Sequence, residues 1–142
     1  MDTVAQLIAA KGGHVWSILP DETVYAAIER MAEKNTGALA VVKDDLLVGI
    51  ISERDYTRKV FLKGKASTDT LVNEIMSFPV ICASPKQEID DCLAIMNTNG
   101  IRHMPVVLDK KLVGMLSLKD LVNVIIVRQE TTIHDLESYI MG

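Results

Sequence analysis

No stretch of this 142-residue chain is an apolar run near the ~18–20 residues that span a bilayer. A membrane-crossing helix is therefore excluded. The start, Met1-Asp2-Thr3-Val4, has neither the basic residues nor the apolar block of a secretory signal. The sequence thus predicts a cytoplasmic protein with no membrane partner. Positive charge is in deficit: 15 Lys and Arg stand against 19 Asp and Glu, for a net charge of −4. Non-specific nucleic-acid binding needs a basic surface and is not expected. A small anion held by a few local cations stays open. Cysteine is scarce. Cys82 and Cys92 fall on different expected elements and read as small core residues in a reducing compartment. His14, His103 and His134 show no ligand-type spacing to them, so no structural metal is expected. A glycine-rich phosphate loop and a Gly-x-Ser-x-Gly elbow are both missing. These absences argue against an enzyme.

What the chain has is apolar material, 49% of its residues, with an ordinary 24% charged. That suffices for one compact domain or two fused half-domains. It also has a repeat. Displaced by 65 positions, the sequence meets itself: Val15 falls on Val80, Pro20 on Pro85, Met31 on Met96, and Val41-Val42 on Val106-Val107. Leu47-Val48-Gly49 falls on Leu112-Val113-Gly114, Ser52 on Ser117 and Asp55 on Asp120. Two copies at a fixed offset predict a pseudo-two-fold pair, each copy covering the apolar face of the other.

Each copy reads as β-α-β-β-α, an α/β (α+β) arrangement. Residues 1–13 hold a short N-terminal helix ended by Gly12-Gly13. The first repeat, 14–62, begins with a strand at Val15–Leu19. A helix at Thr23–Lys34 carries Val24, Ala27, Ile28 and Met31 at spacings of three and four. Asp21 or Thr23 is placed to cap it. Strands Ala38–Val42 and Leu47–Ile51 flank the turn Asp44-Asp45. The second strand is continuously apolar, which predicts burial on both faces. A helix from Glu53 to Leu62 closes the unit. The connector, 63–79, is polar until one helical turn docks Ile75 and Met76. The second repeat, 80–128, gives strands Val80–Ala83, Met104–Leu108 and Leu112–Leu116, and helices Gln87–Thr98 and Leu118–Arg128. A separate helix in 129–142 starts after Thr131 or Thr132 and carries Ile133, Leu136 and Ile140. Both terminal helices are too short to stand alone and should dock on the pair or on another subunit.

The chemistry concentrates where the third strand of each copy meets its helix. Ser52 precedes Asp55 by three residues, and Ser117 precedes Asp120 by three. One reading is a helix cap: the hydroxyl accepts from the N3 amide and the carboxylate reaches back. The other is ligand binding, since α/β folds place small molecules where strands end, and an acidic residue there accepts both hydroxyls of a ribose. The two roles can coexist. Arg54, Arg58 and Lys59 sit on the first corner helix, and Arg102-His103 stands just before an apolar strand of the other copy. At the second corner Lys119 replaces Arg54, Asn123 replaces Arg58, and Gly37-Ala38 replaces Arg102-His103. The first corner should therefore prefer the more highly charged phosphate ligand.

Two copies of Gly-x-x-Ser-x-x-Asp, the run Val72–Ser77, and Arg102-His103-Met104-Pro105-Val106-Val107 together resemble a CBS-domain pair, or Bateman module, over residues 14–128. The resemblance implies a regulatory sensor that binds adenine nucleotides between its repeats, with AMP the first choice and ATP, ADP and NAD the others. The first implied site joins Ser52, Arg54, Asp55 and Arg58 to Val80, Ile81, Cys82, Arg102, His103, Met104 and Pro105. The second joins Ser117, Lys119 and Asp120 to Val15, Trp16, Ser17, Ile18, Gly37, Ala38 and Leu39. Asp55 and Asp120 would hold ribose and the cations phosphate. The resemblance further implies a homodimer that signals to a regulated protein. The alternative is a ligand-free dimerisation scaffold in which the Ser/Asp pairs only cap helices.

Overall fold

A computed structural model describes residues 1–141. The N-terminal helix α1 (Val4–Lys11) is followed by β1 (Ser17–Ile18), α2 (Val24–Lys34), β2 (Ala38–Lys43) and β3 (Leu46–Ser52). Helix α3 (Glu53–Tyr56) continues into a π-helical turn, Thr57–Phe61. Then come α4 (Val72–Ile75), α5 (Ile89–Asn99), β4 (His103–Leu108), β5 (Lys111–Ser117) and α6 (Leu118–Met141). The class is α+β, with the two repeats expected from the sequence.

The two hairpins are copies in fine detail. Ala38 lies opposite Ser52 in one and His103 opposite Ser117 in the other. Each slips register once, at Val41/Val42 and at Val106/Val107. Their two-residue turns use positive φ at both positions: 52° and 63° at Asp44-Asp45, 51° and 68° at Asp109-Lys110. Such turns match the right-handed twist of paired strands.

Each repeat has its own apolar core, and each core is completed by a segment that precedes the other repeat. Ile18, Val24, Met31, Leu39 and Ile51 are joined by Val72 and Ile75 of α4. Ile89, Met96, Met104, Leu116 and Leu121 are joined by Val4 and Leu7 of α1. The docking uses matched backbone hydrogen bonds. Val4 and Ala5 N–H donate to the carbonyls of Gln87 and Pro85, while Val72 and Asn73 N–H donate to those of Glu22 and Pro20, all at 2.9 Å. A glycine makes room in each case. A Cβ on Gly114 would lie 2.5 Å from Ile8 Cδ1, and one on Gly49 would lie 2.5 Å from Met76 Sδ.

Several expectations are corrected. Residues 80–83 form no strand; Ala83 alone bridges to Val106, so the second sheet has two strands. Helix α5 starts at Ile89 rather than Gln87. The carbonyls of Pro85 and Gln87 are taken by α1, which leaves this segment extended. In β3 only Gly49 and Ile51 are buried, because an antiparallel hairpin covers one face. Cys92 is core but Cys82 is exposed. Helix α6 is one 24-residue element, not two. No glycine or proline interrupts it, and the hydroxyls of Thr131 and Thr132 donate to the carbonyls of Val127 and Arg128 instead of capping a new helix.

The notch at Gly114 generates a prediction. Gly114→Ala should cost about 1–3 kcal/mol by overpacking against Ile8. In urea unfolding, the double variant Ile8→Ala/Gly114→Ala should lose less than the sum of the single variants, because the two changes share one contact.

Candidate functional site

Two cavities open where β3 and β5 deliver the chain to a helix. At the first corner Ser52 is the N-cap of α3. Its N–H donates to Asp55 Oδ2 at 2.9 Å, its hydroxyl to the same oxygen at 3.1 Å, and Asp55 N–H donates to Ser52 Oγ at 3.2 Å. Asp55 Oδ1 lies 3.1 Å from Lys59 Nζ, one turn along. Lys59 is tied down in turn, donating to the carbonyl of Ile75 at 2.8 Å. The adjoining cavity, about 340 Å³, is lined by Ser52, Arg54, Asp55 and Arg58 of the first repeat and by Arg102 and His103 of the second. Six expected residues therefore converge. Val80, Ile81, Cys82, Met104 and Pro105 do not line it; Met104 and Pro105 are buried in β4. Glu53, Ile50, Ser77, Gly100 and Ile101 line it and were not foreseen.

The second corner repeats the cap. Ser117 N–H donates to Asp120 Oδ2 at 3.0 Å, and Asp120 N–H to Ser117 Oγ at 3.1 Å. Its cavity, about 550 Å³, is lined by the expected Trp16, Gly37, Ala38, Ser117, Lys119 and Asp120. Val15, Ser17, Ile18 and Leu39 are not in the lining; Ile18 and Leu39 are core. Sequence reasoning missed Lys11, His14, Lys34, Asn35, Thr36 and Met115, whereas Asn123, the counterpart of Arg58, lines this corner as its position in the repeat implies. Of those missed, Met115 was legible, since it stands two residues before Ser117 on the same face of β5. The rings of His14 and Trp16 stack at 5.6 Å, and Lys34 Nζ sits 4.4 Å from the Trp16 ring centroid. The expected shortage of cations at this corner is not found: Lys11, Lys34 and Lys119 all border it.

Gly37 and His103 line both cavities. A Cβ on Gly37 would lie 3.2 Å from His103 Cε1. Burial pushes the His103 pKa below its ordinary 6.5; nearby Asp120 opposes this, and Lys11, Arg102 and Arg54 reinforce it. The ring is therefore neutral at pH 7, and an anion in either cavity favours its protonation.

Asp120 is held below its ordinary 3.8. Burial works against the carboxylate, but hydrogen bonds from Lys11 and Ser117 outweigh it. Its stabilisation is thus complete above pH 3.8 and is lost as pH falls through the lowered value. Lys11→Met should cost about 0.5–1 kcal/mol at pH 7 for a half-exposed pair. Denaturant titrations at pH 7 and near pH 2.5 check this: the difference from the parent should shrink at the lower pH.

Comparison with known proteins agrees with this architecture. A family model described as CBS domain matches residues 12–61 and 72–127. The chain is 37% identical over 139 residues to the CBS domain-containing protein CBSX3, mitochondrial, of Arabidopsis thaliana, covering 94% of this chain and 67% of the relative. A solved CBS-domain structure is 44% identical with a TM-score of 0.83, covering 87% of this chain and 97% of that one. Another, from Burkholderia ambifaria MC40-6 and named for a proposed signal-transduction role, is 43% identical with a TM-score of 0.85, covering 89% and 96%. With both repeats matched, the chain belongs to the CBS-domain family as a tandem pair.

Proposed function

We propose that the protein is a regulatory module that binds adenine nucleotides at its two Ser/Asp corners and reports their presence to a partner. The observation that carries this reading is the make-up of the corners. Each pairs a carboxylate at a helix mouth with several cations, and each draws its walls from both repeats. A ribose diol suits the carboxylate, phosphates suit the cations, and a ligand touching both repeats biases their relative arrangement by its differential affinity. AMP, ADP, ATP and NAD share the required adenosine end. In the first cavity Arg54, Arg58 and Arg102 would meet phosphate, and Asp55 the sugar. No step of this role calls for catalysis. Free thiols at Cys82 and Cys92 suit a reducing cytoplasm. No helix of the described residues is long and apolar enough to cross a membrane. The apolar side chains left exposed along α6, Ile126, Val127, Ile133 and Leu136, support a homodimer.

One observation favours a second reading, a scaffold without ligand. Both aspartates already close capping boxes, which is what helix stability alone requires. The two readings separate in calorimetric titration with AMP, ADP, ATP and NAD. The sensor binds at least one of them, and a ligand at 100 times its dissociation constant adds about 2.7 kcal/mol of stability. Asp55→Ala and Asp120→Ala should each weaken binding at one corner by about 5- to 150-fold, the equivalent of ~1–3 kcal/mol. A chain that takes up no nucleotide and shows no thermal shift is the scaffold.

A further inference from the structure

We infer that Lys11 is a latch on the second cavity: it clasps Asp120 while the cavity is empty and leaves for the phosphate of an incoming nucleotide, so this corner selects phosphorylated ligands over the bare nucleoside. The inference rests on the nucleotide reading above and deepens it for one corner.

The geometry is specific. Lys11 Nζ donates to Asp120 Oδ2 at 2.6 Å and to the carbonyl of Met115 at 2.7 Å. Oδ2 is the oxygen that also accepts the Ser117 amide at 3.0 Å, whereas Oδ1 accepts no hydrogen bond among the described residues. A diol gripping both oxygens therefore meets one free acceptor and one already occupied twice. Moving the ammonium away opens the second. A phosphate offers it a new counter-charge in the same cavity, so Lys11 exchanges one anion for another rather than being stranded. A nucleoside without phosphate offers no such exchange.

The first corner is built differently, and the contrast identifies the latch. The cation on Asp55 is Lys59, from the same helix, and it does not line the first cavity. Its other bond, to Ile75, anchors it among the connector residues. Lys11 lines the cavity it guards and comes from outside both repeats. The backbone beneath Lys11 is fixed. The first turn of α1 is bonded to Pro85 and Gln87, and Gly12, at a φ of 92°, ends the helix immediately after Lys11. Only the flexible four-carbon stem has to move. A cleft cation that starts on a carboxylate and finishes on a phosphate opposes adenosine binding and favours phosphorylated ligands more with each added charge.

The test measures adenosine, AMP and ATP by calorimetry on the Asp55→Ala chain, where the first cavity has lost its capping carboxylate, with and without Lys11→Met. Thermal melts confirm that each variant is folded. The latch predicts that Lys11→Met weakens ATP by about tenfold or more and AMP less, while adenosine, no longer competing with the ammonium for Asp120, binds more tightly; Lys11→Arg restores most of the ATP affinity. An equal loss for all three ligands, no change in any, or a loss for AMP and ATP with adenosine unchanged overturns the latch while leaving the sensor reading intact. So does an Asp55→Ala chain that binds none of them when the parent binds, since the second cavity then takes no nucleotide. A parent chain that binds none of the three removes the sensor reading itself.

Discussion

The fold depends on an exchange of short segments. A two-stranded hairpin with one helix behind it is marginal by itself, and neither repeat here closes its core from its own residues. Helix α1 completes the second repeat and α4 the first, each seated by equivalent backbone hydrogen bonds and each admitted by the bare backbone of a glycine, Gly114 or Gly49. Both docking segments lie outside the repeats, and each is hydrogen-bonded to the segment that leads into the first helix of the repeat it completes. The pseudo-two-fold relation therefore extends from the repeats to the segments that close their cores. It also fixes β3 beside β5, which brings the two Ser/Asp corners to a common region of the molecule.

At each corner one set of atoms serves two purposes. The reciprocal Ser–Asp bonds start a helix at the point where the strand ends, and they hold the carboxylate at the helix mouth, where the amide dipoles favour a negative charge. The cap positions the side chain; the cavity beside it supplies an opening and cations. On the proposed reading, capping and ligand recognition fall to the same residue, and the surrounding cations decide how accessible the carboxylate remains. The two corners differ in just this respect, although their motifs are nearly identical in sequence.

Much of this was legible before any coordinates. The 65-residue displacement located both hairpins, both turns and both corners, because period-2 and period-3.6 patterns and paired Asp or Lys turn residues are local signals. Six residues of the first cavity and six of the second were named in advance. What was not legible arises from contacts distant along the chain. Lys11 meets Asp120 across 109 positions. The segments that dock α1 and α4 stand 68 apart rather than 65, as Val4 and Val72 show, so a fixed displacement passes over them. Residues 80–83 have the apolar character of a strand, but only Ala83 bridges to β4, at Val106. Thr131 and Thr132 were read as a helix start, since their hydroxyls suit caps; they instead bond back within α6, as threonines do when nothing breaks the helix.

His103 and Gly37 form a single partition with a chamber on either side. On the nucleotide reading, a guest that tilts or protonates that ring from one side alters the room offered on the other, and thermodynamic linkage makes the influence mutual. For any pair of guests the relevant variable is then their joint composition in the surrounding solution, with each concentration read against the other.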